Sequence, residues 1–337
     1  LACLIPEAYG GSGLPLTAAA AILEEIHKSG GNGAACHAQM YTMGTLLRHG
    51  SEDQRQAYLP RIARGELRLQ AFGVTEPDAG SDTLSIATTA VQDGDAYIIN
   101  GQKIWTSRAE HSDLMLLLAR TTPQEQVEKR SRGLSVFLID LRQHVGNGVE
   151  IQPIRTMLNH ATTQVFFDDL RVPASALVGE PDRGFAYILD GMNAERVLIA
   201  AECIGDGRWF IQKARDYASD RSVFGAPIGA KQGVQFPISR AYASVEAADL
   251  MVQQAARRFD AGKPCGKTAN MAKLLASEAA WQAGDTCLQT FGGFGFAEDY
   301  DVERKFRETR LYQVAPVSTN LILAYLGEHV LGMPRST

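Results

Sequence analysis

The sequence is short of the cysteine pairs that would hold a zinc ion or a disulfide framework. Its five cysteines (Cys3, Cys36, Cys203, Cys265 and Cys287) are odd in number and far apart. No CxxC or other paired ligand spacing occurs, which argues against a zinc module and favours a reducing compartment. There is no HExxH. No apolar run reaches the roughly 18 residues that a membrane-spanning helix needs. There is no large excess of one charge either. The formal net charge of −5 suggests neither a nucleic acid nor an anionic membrane as partner. "GKPCGKT" ends like a phosphate loop, but Ala261 stands where the first glycine must be. "GSGLPL" and "GFGFAE" each lack the third glycine of a dinucleotide fingerprint. The chain begins at Leu1 with no targeting signal, so it is expected to start inside a longer polypeptide.

What is present is a chain of 337 residues, long enough for two or three domains. Hydrophobic residues make up 45% and charged residues 21%, the balance of a globular chain rather than a disordered one. Residues 1–69 read as helical. "LPLTAAAAILEEIHKSGG" is rich in helix formers and stops at glycines, and "SEDQ" (Ser51 to Gln54) is a capping box opening a helix that ends near Gly65. From 70 to 181 the period changes to that of strands. "DAYIINGQKIWTS" places Asn100-Gly101 between β-rich flanks, which predicts a hairpin turn there. "DLMLLLA", "LSVFLID", "VEIQPI" and "TQVFFDDLRV" read as further short strands, and "TTPQEQVEKRSRG" as a mobile surface loop. Together they predict a small β-barrel or sandwich. From 182 to 337 the helical period returns, with helices over 183–218, 231–261, 266–291 and 317–331. Long helices with short connections suggest an antiparallel bundle. The fold class is therefore α+β in the order α, β, α.

"FGVTEPDAGSD" (Phe72 to Asp82) joins a strand to a glycine turn with exposed amides and hydroxyls, which can bind a planar heterocycle or a pyrophosphate. It is followed in order by "NGQKIWTS", "FDDLRVP", "RSVFGAPIGAKQ", "LQTFGGFGF" and "ERKFRETRLYQV". This ordered series resembles the acyl-CoA dehydrogenase family over essentially the whole chain. The resemblance implies a helical domain, a middle β-domain and a C-terminal four-helix bundle, with noncovalent FAD and an acyl-CoA substrate. It also implies a homo-oligomer, dimer or tetramer, that passes electrons to an electron-transferring flavoprotein. Such a protein would be cytoplasmic in a bacterium and in the mitochondrial matrix in a eukaryote. By the same resemblance Phe72, Val74, Thr75, Ser81, Trp105, Thr106 and Ser107 face flavin, with Ser81 also on the CoA side. "WTS" stands where the family usually has "WIT", so Ser107 keeps the hydroxyl near flavin N5. Arg221, Phe224 and Gln232 match residues that hold the FAD phosphates and adenosine. Gln289, Gly292 and Gly293 match a segment that reaches the cofactor of a neighbouring subunit. Ser318 and Asn320 match further cofactor contacts, and Asn193, Arg196 and Ala315 fall at substrate-facing positions.

The chemistry implied is α,β-dehydrogenation, in which a base takes the α-proton as the β-hydride leaves for flavin N5. Many family members place that base, a Glu, in a "YEGT" segment. Here "RLYQVAPVST" puts Ala315, Pro316, Val317 and Ser318 at those four positions, and neither this register nor a one-residue shift supplies a carboxylate. The isovaleryl-CoA and long-chain members carry their base on a bundle helix, directly before an arginine. "LDGMNAERVLIAAECIG" offers Glu195 followed by Arg196. Ile188, Met192, Glu195 and Ile199 fall on one helical face, which would desolvate the carboxylate and strengthen it as a base. Glu202, two turns on, is the second candidate. Pro316 suits the first turn of the last helix. It has no N–H, however, and in the family the amide at this position helps polarise the thioester carbonyl. Losing one such donor costs roughly 3 kcal/mol in other enzymes, so a neighbouring amide such as that of Val317, or a ribityl hydroxyl, must compensate. Two other readings use the same residues: an acyl-CoA oxidase, and a noncatalytic paralogue that keeps the fold and FAD. "VAPVST" favours the paralogue and Glu195 opposes it.

Overall fold

The computed structural model describes residues 2–158 and 160–335. They form two compact units. One joins the segment ending at Leu14 to Ala34–Met192, and the other joins Pro15–Gly33 to the chain from Asn193 onward. Helix α1 (Leu16–Lys28) thus belongs to the second unit, and α2 (Ala34–His49) and α3 (Glu52–Ala63) to the first.

The α3 capping box is present as the sequence predicts. The Gln54 N–H donates to Ser51 Oγ and the Ser51 N–H to Gln54 Oε1, both at 3.1 Å. The strands β1 (Leu69–Gly73), β2 (Thr89–Asp93), β3 (Ala96–Ser107), β4 (Leu114–Arg120) and β5 (Leu134–Asp140) come next. A single turn α4 (Leu141–His144) precedes β6 (Val149–Pro153), β7 (Thr162–Pro173) and β8 (Leu177–Val178). They make one mixed sheet in the order β6-β7-β3-β2-β4-β5-β8, with β1 also paired to β4. β4 is buried on both faces, and for this reason it reads as an unbroken apolar run. Leu114, Leu116 and Leu118 pack in one cluster with Met43 and Leu59 of α2 and α3. Met115, Leu117 and Ala119 pack in a second cluster with Ile99, Val165 and Phe167.

The expected hairpin at Asn100-Gly101 is not there. Strand β3 runs straight through both residues, and the ladder to β7 shifts register between Ile99 and Gly101. This is a bulge. The Asn100 amide Nδ2–H donates to Asp169 Oδ1 at 3.0 Å and its Oδ1 accepts from the Asp169 N–H at 2.8 Å, so Asn100 ties two strands instead of turning one. Gly101 is needed because a Cβ there would lie 2.7 Å from Thr88 Cα. The turn lies earlier, at Gly94 with φ 62°. The loop expected to be mobile is held at both ends. Thr121 and Thr122 donate to Asp182, and Arg130 pairs with Asp82 at 3.0 Å.

The second unit carries α5 (Gly184–Asp220) from Asn193 on, α6 (Gln232–Asp260) and α7 (Gly266–Phe291), close to the expected spans. Between α5 and α6 a small hairpin pairs β9 (Ser222–Val223) with β10 (Ala226–Pro227). Gly205 on α5 lets α1 approach, since a Cβ there would sit 2.3 Å from the Glu24 carbonyl oxygen. Two short helices follow, α8 (Val302–Arg310) and α9 (Thr319–Tyr325), the latter continued by a π-turn over Leu326–Val330. Helix α8 is not among the helices expected from periodicity. Pro316 does not open the last helix either: Ser318 is the N-cap of α9, its Oγ accepting from the Leu321 N–H at 3.3 Å.

Candidate active site

In the first unit, the end of β1 and the second half of β3 are locked together by a buried ion pair. Lys103 is fully buried, and its ammonium donates to Glu76 Oε1 at 2.7 Å and to the Val74 carbonyl at 3.0 Å. Glu76 also accepts from the Ala87 and Thr88 amides at 2.6 and 3.0 Å. Burial alone would raise the Glu76 carboxyl; Lys103 and these donors outweigh it and hold it below its ordinary value. The Ile104 N–H donates to the Thr75 carbonyl at 2.9 Å. The main chain of Val74 and Thr75 is thereby set against the strand that carries Trp105, Thr106 and Ser107. Phe72 is half-buried and meets Tyr41 edge-on at 5.5 Å, and Ser81 lies exposed in the glycine turn.

Trp105 is out of the ordinary in two ways. Its indole is 58% exposed, and its φ is 59°, a left-handed conformation that a bulky residue avoids. Such strain costs on the order of 1–3 kcal/mol and persists at ligand sites because the surroundings impose it. Thr106, next along, is buried, and its Oγ makes no hydrogen bond to the described residues. Its carbonyl accepts from Thr163 Oγ at 2.8 Å.

The second unit repeats the signature. Phe224 has φ 53° and is 97% exposed, at the tip of the β9–β10 hairpin. A cleft of about 510 Å³ beside it brings Arg221 and Val223 together with Gly292, Gly293 and Phe294. Gln232 begins α6 and Gln289 lies near the end of α7, both exposed; neither lines this cleft. Ser318 and Asn320 line a different hollow, with Arg310 and Glu278.

Glu195 is buried on α5. Arg196, beside it, donates to Asn193 Oδ1 at 3.1 Å. Burial lowers the Arg196 guanidinium, and the Glu195 charge opposes that. Ile188, Glu195 and Ile199 are all buried on α5, and Met192 is half-buried. Glu202 is placed differently. It lies 3.7 Å from His27 Nε2, at the edge of an interior charge network. There Asp206 accepts from His27 Nδ1 at 2.8 Å, from Lys305 at 2.5 Å and from Thr309 Oγ at 2.6 Å. The Gly33 N–H donates to His27 Nε2 at 2.9 Å, which leaves the ring proton on Nδ1. Burial would raise Asp206, but His27 and Lys305 bring it down to about 2.

Three family models match the chain in order: the acyl-CoA dehydrogenase N-terminal domain over residues 1–66, the middle domain over 71–170 and the C-terminal domain over 182–330. The chain belongs to the acyl-CoA dehydrogenase family. It is 36% identical over 335 residues to the acyl-CoA dehydrogenase FadE12 of Mycobacterium tuberculosis, covering 98% of this chain and 85% of that protein. It is 32% identical to the short/branched chain specific acyl-CoA dehydrogenase of Rattus norvegicus mitochondria, covering 96% and 74%. Among solved structures, the glutaryl-coenzyme A dehydrogenase glutaryl-CoA complex superposes with a TM-score of 0.91 at 31% identity, covering 99% of this chain and 85% of that one. A FAD complex of PigA superposes with a TM-score of 0.91 at 27% identity, covering 98% and 86%. The protein is an oxidoreductase, an acyl-CoA dehydrogenase, and its cofactor is FAD. Its residues fit that cofactor: an exposed indole on a strained stretch of strand suits a planar ring, and an arginine in a glycine-lined cleft suits a diphosphate. Among the described residues no helix is long and apolar enough to cross a membrane.

Three buried lysines were not singled out by any motif, Lys103, Lys273 and Lys305. For two of them the signal was a charge at an inward position: Lys103 in the strand "IINGQKIW" and Lys273 among the alanines of "ANMAKLLASEAA".

Proposed function

We propose that this dehydrogenase oxidises an acyl-CoA thioester to the trans-2-enoyl-CoA with Glu195 as the base. The observation that carries this reading is a buried Glu195 in a chain whose 311–323 segment holds no carboxylate. In this reading Glu195 receives the α-proton at its carboxylate. Arg196 balances the charge of that carboxylate while Asn193 orients Arg196. Bound FAD supplies the acceptor for the β-hydride. Phe72, Val74, Thr75 and Ser81 present main-chain and hydroxyl groups to the flavin, and Trp105, Thr106 and Ser107 border it. Arg221, Phe224 and Gln232 take the phosphates and adenosine, with Gln289, Gly292, Gly293, Ser318 and Asn320 as further contacts. The division into helical, β and helical domains falls at 69/70 and 181/182, and electrons leave to an electron-transferring flavoprotein.

The test is anaerobic mixing with a panel of acyl-CoA thioesters. Bleaching of the flavin absorbance supports dehydrogenation, and no bleaching with any thioester overturns it in favour of a noncatalytic protein. Fast reoxidation by air would point to an oxidase instead.

The same panel tests substrate choice. Ala315 and Pro316 replace a tyrosine and a glutamate of the family pattern, which removes volume near the α- and β-carbons. A branched acyl-CoA, of isovaleryl or methyl-branched medium-chain type, is expected to react at least as well as its straight isomer. The name of the rat relative points the same way. A methyl group in a fitted pocket is worth about 1–3 kcal/mol, so the preference in kcat/KM should be around tenfold. A straight-chain preference at every length would refute it.

Phe294 lines the Arg221 cleft, Phe224 and Phe296 are exposed close to it in sequence, and exposed apolar surface of this kind suits contact with a second copy. The protein is therefore expected to sediment as a dimer or tetramer. A monomer with full FAD occupancy would rule this out.

A further inference from the structure

We infer that Lys273 is a positioning residue, whose ammonium fixes the peptide between Val317 and Ser318 so that the Ser318 N–H replaces the donor lost at Pro316. The inference rests on the reading just proposed and deepens it.

Lys273 lies on α7 with 0% exposure, between Ala269, Ala272 and Ala276, which are equally buried. Its ammonium donates to the Val317 carbonyl at 2.7 Å, the one hydrogen bond it makes among the described residues. No carboxylate pairs with it there. The charged and titratable groups that face it are Cys203 and Arg196, both from α5. Burial pulls the ammonium down to about 8; the Cys203 thiol opposes this and Arg196 adds to it. An unpaired buried charge is a liability, and a fitted apolar side chain in its place is often neutral or stabilising. The Val317 carbonyl is the one group among the described residues that offsets this cost by a hydrogen bond.

That bond falls on a loop whose ends are already closed. Thr319 Oγ donates to the Gln313 carbonyl at 3.3 Å, and Ser318 caps α9. Among the described residues the only cis peptide in this loop is Ala315–Pro316, so the Val317–Ser318 peptide is trans. In a trans peptide C=O and N–H point in opposite directions. With its carbonyl drawn to Lys273, this peptide turns the Ser318 N–H away from α7. That N–H donates to no acceptor among the described residues. A cation on the carbonyl also polarises the N–H of the same peptide and makes it the stronger donor. The loop thus offers an oriented amide two residues after the proline that has none.

The experiment compares FAD-loaded wild type with K273M and K273Q. Three quantities are read: amide hydrogen exchange of the peptide covering 313–321, melting temperature, and the rate of flavin reduction by the best acyl-CoA of the panel. In K273M, exchange of the Leu321 amide, which donates to Ser318 Oγ, is expected to rise at least tenfold while α7 stays protected. The melting temperature should hold or rise, and flavin reduction should slow at least tenfold. K273Q keeps a donor and should fall in between; it also serves if K273M does not fold. Unchanged exchange in both variants overturns the positioning role. Faster exchange with unchanged reduction overturns the donor role of Ser318. Faster exchange with a proportionate drop in melting temperature shows a merely structural lysine and overturns the inference. If wild type is reduced by no thioester, the proposed function fails, and the exchange arm still decides whether Lys273 holds the loop.

Discussion

Glu195→Gln is expected to slow flavin reduction by acyl-CoA at least 10²-fold, within the 10²–10⁴ that a general base typically contributes. The substitution removes the titrating carboxylate and keeps the volume, so packing around α5 should survive. FAD content should be unchanged, because Glu195 is not among the residues assigned to the cofactor. Stopped-flow absorbance under anaerobic conditions reads the effect directly. Near-normal reduction would sink the assignment and return attention to Glu202. The structure makes Glu202 the poorer candidate on physical grounds. It adjoins His27 in the network built on Asp206, Lys305 and Thr309, where a proton taken from substrate would disturb several buried charges at once.

Lys103→Met is expected to destabilise the protein by about 3–5 kcal/mol, the usual penalty for removing one partner of a buried pair. The loss strands Glu76, buried with its charge, and leaves the Val74 carbonyl without the ammonium. Urea denaturation of the two proteins measures it. The pH dependence has a definite sign. Glu76 is held below its ordinary value in the folded state, so the pair's contribution is complete above the ordinary carboxylate range and is lost as pH falls through the depressed value. In Lys103→Met the stranded carboxyl should instead titrate upward, so acidification relieves the variant. The stability gap between the two proteins should therefore be widest near neutrality and close on the acid side. A gap below about 1 kcal/mol at pH 7 would place the pair with the weak ion pairs of the surface. Because the pair sets Val74 and Thr75 against the Trp105 strand, the variant should also bind FAD more weakly, which apoprotein titration can read.

Much of the molecule was legible in the residues themselves. Helix formers ending at glycines marked α1 and α3, the Ser51–Gln54 box marked a start to the residue, and the ordered motifs identified the family and its cofactor. These signals are local, a few residues each, and local chemistry suffices to read them. The proposed base position came from the family resemblance: the segment that carries the glutamate in many members has no carboxylate here, and Glu195-Arg196 matches the position used by others. Where a local rule met a non-local contact, it failed. Asn-Gly is a turn signal, but here Asn100 bonds Asp169 across the sheet and Gly101 yields to Thr88, so the strand continues. The charged run "VERKFRETR" has no broad apolar stripe, yet it forms α8 because Lys305 and Thr309 are buried against Asp206.

By itself the sequence determined the α, β, α order, and its ordered motifs carried the resemblance that led to the family and the cofactor. Only the tertiary structure decided how buried charges are satisfied. Helix α1 follows Pro15, which offers no capping side chain, and Asp260, at the far end of α6, accepts from the Leu16 and Thr17 amides at 2.8 and 3.0 Å. Lys103 finds Glu76, Lys305 finds Asp206, and among the described residues Lys273 finds only the Val317 carbonyl. The physical reason is that a charge leaves a strong mark on stability only when desolvated. Desolvation depends on which distant segments close over it, and no window of neighbouring residues contains that information.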